Sequence, residues 1–129
     1  MTSINGSPGL TILMVENEEV TVCLLEFVLQ KNGYRVIHSN NGEHAKRLMS
    51  TMDPPDAVLI DMILPDTTGL DLLAYLRIQA RWQTTPVAML TTNAESLDPA
   101  QTALLGVDDY IRKPVSPTRL ATRLNRLLK

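Results

Sequence analysis

Polar residues stand at the ends of four separate apolar runs in this 129-residue chain. They are Glu16 and Asn17 after LTILMV, Asp61 after AVLI, Thr91 after VAML and Lys113 after YIR. A carboxylate such as that of Asp61 is a competent nucleophile toward phosphorus when the charge of the transferred phosphoryl group is neutralised. These residue types therefore predict phosphoryl transfer, provided that the fold brings them together.

Oxygen ligands for a divalent cation occur in the same set. Mg²⁺ is the usual ion for neutralising a phosphoryl group, and it prefers octahedral coordination by carboxylate, carbonyl, phosphoryl and water oxygens. Glu16, Asn17 and Asp61 supply side-chain oxygens of this kind. The backbone carbonyl of Ile63, just beyond Asp61, is one more candidate ligand.

Two other side chains suit the phosphoryl group itself. Lys113 can pair with Asp61 before transfer and with phosphoryl oxygens after it, while the hydroxyl of Thr91 can donate to another phosphoryl oxygen. Taken singly, each has an ordinary structural explanation, such as a surface lysine or a locally bonded hydroxyl. Their joint placement at the ends of apolar runs favours a phosphorylation site.

The elements that must position these residues follow from the periodicity. Short apolar runs alternate five times with stretches of helical spacing, which predicts a βα alternation and a parallel sheet covered on both faces. Because parallel strands end at the same edge, residues that terminate them converge. The predicted strands are residues 10–15, 34–38, 56–62, 86–92 and 107–114.

Helix signals lie between the strands. Helices are predicted to start at Pro99 after a cap at Asp98, and at Pro117 after a cap at Ser116. Trp82 is predicted to cap an edge of the core. In the first helix, apolar residues at helical spacing are predicted to face the core, and the single cysteine is read as a core residue. These residues are Val20, Cys23, Leu24, Phe27 and Val28.

Length and composition indicate one globular domain at residues 10–129, behind a flexible leader at residues 1–9. A formal charge of −2 predicts no direct binding of nucleic acid. No apolar run reaches the roughly 20 residues of a membrane span, and a lone cysteine suits a reducing compartment, so we expect a cytoplasmic protein. His38 and His44 lack partners at metal-ligand spacing, which predicts no metal site there.

The motifs together resemble the response-regulator receiver domain of bacterial two-component signalling. The likeness covers residues 10–128 and is carried by Glu16 and Asn17, by Asp61 in LIDMILPDTTG, by Thr91 in MLTT and by Lys113 in YIRKP. It implies a three-layer, flavodoxin-like (βα)5 fold with strand order 2-1-3-4-5. It also implies that Asp61 takes its phosphoryl group from a histidine of a sensor kinase or phosphotransfer protein, so that the domain is a regulatory phosphoacceptor and not a turnover enzyme.

The resemblance further implies a switch. Thr91 is drawn toward the phosphoryl group, the aromatic side chain of Tyr110 turns inward, and the surface of the fourth helix, fifth strand and fifth helix changes for an output domain, a partner protein or a second copy. The Lys113–Pro114 bond is commonly cis in this family. Most members carry a second acid where Asn17 stands, and losing one charge removes roughly 4 kcal/mol of gross attraction at an effective dielectric near 20. We therefore predict weakened Mg²⁺ binding with phosphorylation retained.

Two alternatives remain at this point. The first is a receiver-shaped binding module that no longer uses phosphate, for which Asn17 is the sole argument. The second is an aspartyl-phosphate hydrolase of the haloacid dehalogenase type, which requires a second Asp two residues after the nucleophile. Ile63 occupies that place, so steady turnover of phosphate esters is not expected.

Overall fold

A computed structural model of the chain describes residues 9–92 and 99–128. Residues 1–8 of the predicted leader, the predicted cap Asp98 and the C-terminal Lys129 lie outside these ranges. The strands are β1 (Thr11–Val15), β2 (Arg35–Ser39), β3 (Ala57–Asp61), β4 (Val87–Thr91) and β5 (Asp109–Arg112). The helices are α1 (Glu19–Lys31), α2 (Gly42–Thr51), α3 (Gly69–Ile78), α4 (Pro99–Leu105) and α5 (Pro117–Leu127), with a 3-10 turn at Ala80–Trp82.

The five strands form one parallel sheet in the order β2-β1-β3-β4-β5, which confirms the predicted flavodoxin-like fold. The central strands β3 and β4 are buried along their whole length, whereas the edge strands β2 and β5 are partly exposed. The fifth strand is shorter than the predicted residues 107–114. Pro114 has no N–H with which to extend the ladder.

Apolar side chains fill both faces of the sheet. Leu25, Leu120 and Leu124 are among the residues that pack α1 and α5 against one face. Leu72, Leu76 and Trp82 belong to the core on the other face, beneath α2 and α3. Trp82 is only 1% exposed, which confirms its predicted place at the core edge.

Helix ends agree with the sequence signals where both are described. Gly33 follows α1 with a φ of +89°, in the left-handed region that favours glycine. Ser116 caps α5 by accepting a hydrogen bond from the backbone N–H of Arg119, and Pro117 is the first helical residue, as predicted.

The predicted inward face of α1 is right for Val28, which is buried, and for Leu24, which packs partly buried against the core, but it is wrong for Val20, Cys23 and Phe27. The buried residues of α1 are Thr21, Leu25, Val28 and Leu29, while Cys23 is exposed. Val20 is 74% exposed and Phe27 is 64% exposed. Apolar residues occur nearly all round this helix, so spacing alone fits more than one stripe. The face is decided by contacts with the neighbouring strand β2 and with α5, which lies far away in the sequence.

No helix within residues 9–92 and 99–128 combines the length and the apolar character that a membrane crossing requires.

Candidate functional site

The turn after β1 places a carboxylate inside the protein. The side chain of Glu16 is fully buried. Its Oε2 accepts a hydrogen bond of 3.0 Å from the backbone N–H of Glu18, the residue that precedes α1. Glu18 and Glu19 stand at the start of α1, where the helix dipole favours acidic side chains. Glu16 is therefore held in place by its own turn.

A second carboxylate and an ammonium group meet Glu16 at the same edge of the sheet. Asp61, the last residue of β3, is 8% exposed. The Nζ of Lys113 lies 3.1 Å from Oδ2 of Asp61 and 3.3 Å from Oε1 of Glu16. One ammonium thus serves two carboxylates, and the trio carries net negative charge whenever both carboxylates are ionised.

The pKa values of Glu16 and Lys113 reflect this excess of negative charge. Burial raises the pKa of Glu16 above its ordinary value of 4.5, and the neighbouring Asp61 carboxyl group raises it further. For Lys113, burial acts to lower the pKa, but the hydrogen bond and charge of Asp61 together with Glu16 outweigh it, so the pKa lies above 10.5. An additional cation beside the carboxylates would relieve the repulsion between them.

The loop after Asp61 is held against the rest of the fold. The backbone N–H of Ile63 donates to Oδ1 of Asp61 at 3.3 Å, although the Ile63 side chain is 78% exposed. Gly69 packs so closely that an added Cβ would overlap the Asp61 carbonyl oxygen. The carboxylate of Asp66 accepts hydrogen bonds from the first two backbone N–H groups of α2, at 2.8 Å from Gly42 and 2.9 Å from Glu43.

The sequence reading missed the roles of Gly69 and Asp66. Glycine is a poor helix former, so its occurrence at the first position of α3, behind the cap residue Thr68, is a signal of close approach. No comparable signal exists for Asp66. Its partners lie in a helix more than twenty positions earlier in the chain.

Thr91 and Tyr110 belong to the two remaining strands at this edge. Thr91 ends β4 and is 6% exposed, and its carbonyl oxygen accepts a 2.8 Å hydrogen bond from the backbone N–H of Lys113. Tyr110 lies in β5, half-buried against the core on the α2 and α3 face. The Lys113–Pro114 peptide is cis. Side-chain contacts thus join Glu16, Asp61 and Lys113, and the backbone adds Thr91.

The donor set suits a hard divalent cation. Two carboxylates face one another here, and the exposed amide of Asn17 follows Glu16 directly. Within the described ranges no group of three or more His, Cys, Asp and Glu side chains has the arrangement of a metal site. The other candidate ligands, the side chain of Asn17 and the backbone carbonyl of Ile63, are neutral oxygens. Mg²⁺ accepts such a set because it usually keeps several water ligands.

Similarity to known proteins agrees with this architecture. The sequence model of the response regulator receiver domain matches residues 12–125. The alkaline phosphatase synthesis transcriptional regulatory protein PhoP of Bacillus subtilis is 36% identical over 118 residues, which cover 92% of this chain and 48% of that protein. The chain thus spans about half the length of this relative.

Solved structures show the same fold. The chemotaxis response regulator CheY4 of Vibrio cholerae superimposes with a TM-score of 0.86 at 25% identity, covering 92% of this chain and 98% of that one. The receiver domain of the sensor histidine kinase PA1611 from Pseudomonas aeruginosa gives a TM-score of 0.83 at 32% identity, covering 93% and 98%. That structure has a magnesium ion coordinated in its active-site cleft. The chain belongs to the family of response regulator receiver domains.

Proposed function

We propose that this domain is a phosphorylation-dependent switch whose phosphoacceptor is Asp61. The observation that carries the proposal is the buried contact of one ammonium, Lys113, with two carboxylates, Asp61 and Glu16, at 3.1 and 3.3 Å. The phosphoryl donor is a phosphohistidine of a sensor histidine kinase or of a histidine phosphotransfer protein. Such a donor is made with ATP, and a cytoplasmic location fits this part of the proposal.

In the proposed step, a carboxylate oxygen of Asp61 bonds to phosphorus while the phosphorus–nitrogen bond of the donor breaks. The donor imidazole leaves with the electron pair of that bond. Lys113 then pairs with phosphoryl oxygens, and Thr91 donates a hydrogen bond to another of them. Bound Mg²⁺ supplies charge neutralisation for the transfer. Glu16, Asn17, Asp61 and the backbone carbonyl of Ile63 would hold it, weakly because Asn17 is neutral.

The response follows from the added charge, about −1.5 to −2 at neutral pH. Movement of Thr91 toward the phosphoryl group opens space that the ring of Tyr110 fills. The surface of α4, β5 and α5 then changes, and an output domain, a partner protein or a second copy reads it. PhoP is named as a transcriptional regulatory protein, and an output module of that class fits the proposal.

Incubation with acetyl phosphate tests the assignment. We expect a mass increase of one phosphoryl group that requires Mg²⁺ and saturates with its concentration. Asp61→Asn should abolish the increase, whereas Asp71→Asn, an exposed acid in α3, should leave it unchanged. A binding module that no longer uses phosphate predicts no increase in the wild type. A phosphohydrolase predicts steady release of phosphate from small esters, which the presence of Ile63 at the general-acid position argues against.

A further inference from the structure

His38 contacts the candidate magnesium site from the edge strand β2. Its Nε2 lies 2.8 Å from the backbone carbonyl oxygen of Glu16. A carbonyl oxygen only accepts hydrogen bonds, so Nε2 carries the proton and donates. We infer that His38 is a positioning residue that fixes the Glu16–Asn17 peptide and thereby aims the neutral Asn17 ligand at the cation.

The backbone of Glu16 is held at both ends by β2. Its N–H donates to the carbonyl oxygen of Ser39 at 3.0 Å, which continues the pairing of β1 with β2 by one residue. The carbonyl oxygen of Glu16 lies beyond the last paired residue of β1. The imidazole of His38 donates to it in place of a backbone N–H group. With both groups bonded, the peptide that leads into Asn17 cannot rotate without breaking a hydrogen bond.

This restraint matters because Asn17 is not charged. An acid at this position would be drawn to a cation over a distance, whereas an amide oxygen contributes little unless it already points correctly. Mutation of a group that orients a metal ligand through a hydrogen bond typically changes metal affinity by about ten- to a hundredfold. His38 thus offsets part of the charge missing at Asn17. The inference rests on the proposed function, since it assumes that Mg²⁺ binds beside Glu16 and Asp61.

Two substitutions separate this role from a general structural one. In His38→Gln the amide nitrogen stands at the same number of bonds from the backbone as Nε2, so the donor is kept. In His38→Asn the donor is one bond closer to the backbone and cannot reach Glu16. Both variants replace the ring by a polar amide on a half-buried edge position, so both should fold. Arg35→Gln, at an exposed site on the same strand, serves as a control.

The experiment is a titration with Mg²⁺ alone, followed by backbone amide chemical shifts. We expect the dissociation constant to rise about tenfold in His38→Asn, and to stay within about twofold of wild type in His38→Gln and Arg35→Gln. Before any metal is added, the Asn17 amide should shift and exchange its hydrogen faster in His38→Asn only. This metal-free readout stands even if one variant binds too weakly to titrate.

Several outcomes would overturn the inference. If the wild type binds Mg²⁺ and His38→Asn binds it equally well, His38 does not position the site, while the proposed function stands. If His38→Gln and His38→Asn weaken binding equally, the ring acts through packing and not through its donor. A wild type that binds no Mg²⁺ in the millimolar range would overturn the proposed function as well.

Discussion

Two half-buried cations lie at opposite ends of the sheet, and their partners differ. Lys113, beyond the C-terminal end of β5, has a side chain 15% exposed and contacts two carboxylates. Arg77 of α3 has a side chain 17% exposed and lies near the N-terminal ends of β4 and β5, where Asp108 is 3.5 Å away. Its guanidinium donates to the backbone carbonyls of Trp82, Gln83, Thr85, Leu105 and Gly106.

The difference lies in how completely each cation is bonded. Arg77 has its donors distributed over fixed carbonyl oxygens, so its contacts form a closed structural joint between α3, α4 and the start of β4. Lys113 is shared by two carboxylates whose combined charge exceeds its own, and this excess of negative charge is what the proposed function uses to bind a further cation. Burial alone does not separate a structural cation from a functional one. The number and charge of the partners do.

Removing Arg77 should produce the largest loss of stability. In Arg77→Leu the carbonyl groups it serves lose their donor, and we expect the free energy of unfolding to fall by about 4 kcal/mol. Phosphorylation of the protein that remains folded should be unchanged, because the site is at the other end of the sheet. Urea unfolding and acetyl phosphate labelling measure the two effects. Reduced labelling of the folded fraction would show that the two ends of the sheet are not independent.

A change at Gly69 should affect both properties. In Gly69→Ala the new methyl group would overlap the Asp61 carbonyl and approach Met89 Cε at 2.6 Å, so the acceptor loop must shift. We expect the free energy of unfolding to fall by about 2 to 3 kcal/mol. We also expect phosphorylation to slow by roughly a hundredfold, because Asp61 is displaced. Asp71→Ala, at an exposed position two residues further along α3, is the control; it should lower stability by less than about 1 kcal/mol, through the lost interaction with the helix dipole, and leave phosphorylation unchanged.

Placing an acid at position 17 should increase the excess of negative charge around Lys113. We expect Asn17→Asp to tighten Mg²⁺ binding by about tenfold, or 1.4 kcal/mol. The same substitution should lower stability in metal-free buffer, because a third negative charge joins Glu16 and Asp61. Calorimetric titration and thermal unfolding with and without Mg²⁺ test this pair of opposite effects. Asn125→Asp makes the same charge change on the exposed side of α5 and should leave both Mg²⁺ binding and the rise in thermal stability on adding Mg²⁺ as they are in the wild type.

The smallest expected effect concerns Asp66 and appears only in acid. Hydrogen bonds from the backbone N–H groups of Gly42 and Glu43 hold the pKa of Asp66 below its ordinary value of 3.8. A carboxyl group with a lowered folded-state pKa contributes stability above pH 3.8, and this is lost as the pH falls through the lowered value. Asp66→Asn should reduce the dependence of the free energy of unfolding on pH in this acidic range. An unchanged acid-unfolding profile would show that the loop does not depend on the ionised group.

Much of the fold was predictable because buried parallel strands leave continuous apolar runs. The ends of β1, β3 and β4 differ from the predicted ones by no more than one residue. The buried face of α1 was only partly predictable, since Val20, Cys23 and Phe27 are apolar yet exposed. Spacing describes one helix, whereas burial depends on its neighbours.

Parts of the site were harder to predict for a related reason. Residue type and placement identified Glu16, Asp61 and Lys113, because charged side chains at strand ends are chemically distinctive. The contact that His38 makes at the site is with a backbone carbonyl, a group that every residue possesses. A sequence therefore carries no mark of such partners. They become visible only when the chain is folded.

Chemical trapping of the phosphorylated residue tests the central claim most directly. After incubation with acetyl phosphate and Mg²⁺, borohydride reduces an aspartyl phosphate to homoserine, which peptide mass mapping locates. We expect homoserine at position 61 in the wild type, none without Mg²⁺, and none in Asp61→Asn. Homoserine at another aspartate, or an unmodified residue 61 at saturating Mg²⁺ and donor, would contradict the assignment of Asp61 as the phosphoacceptor.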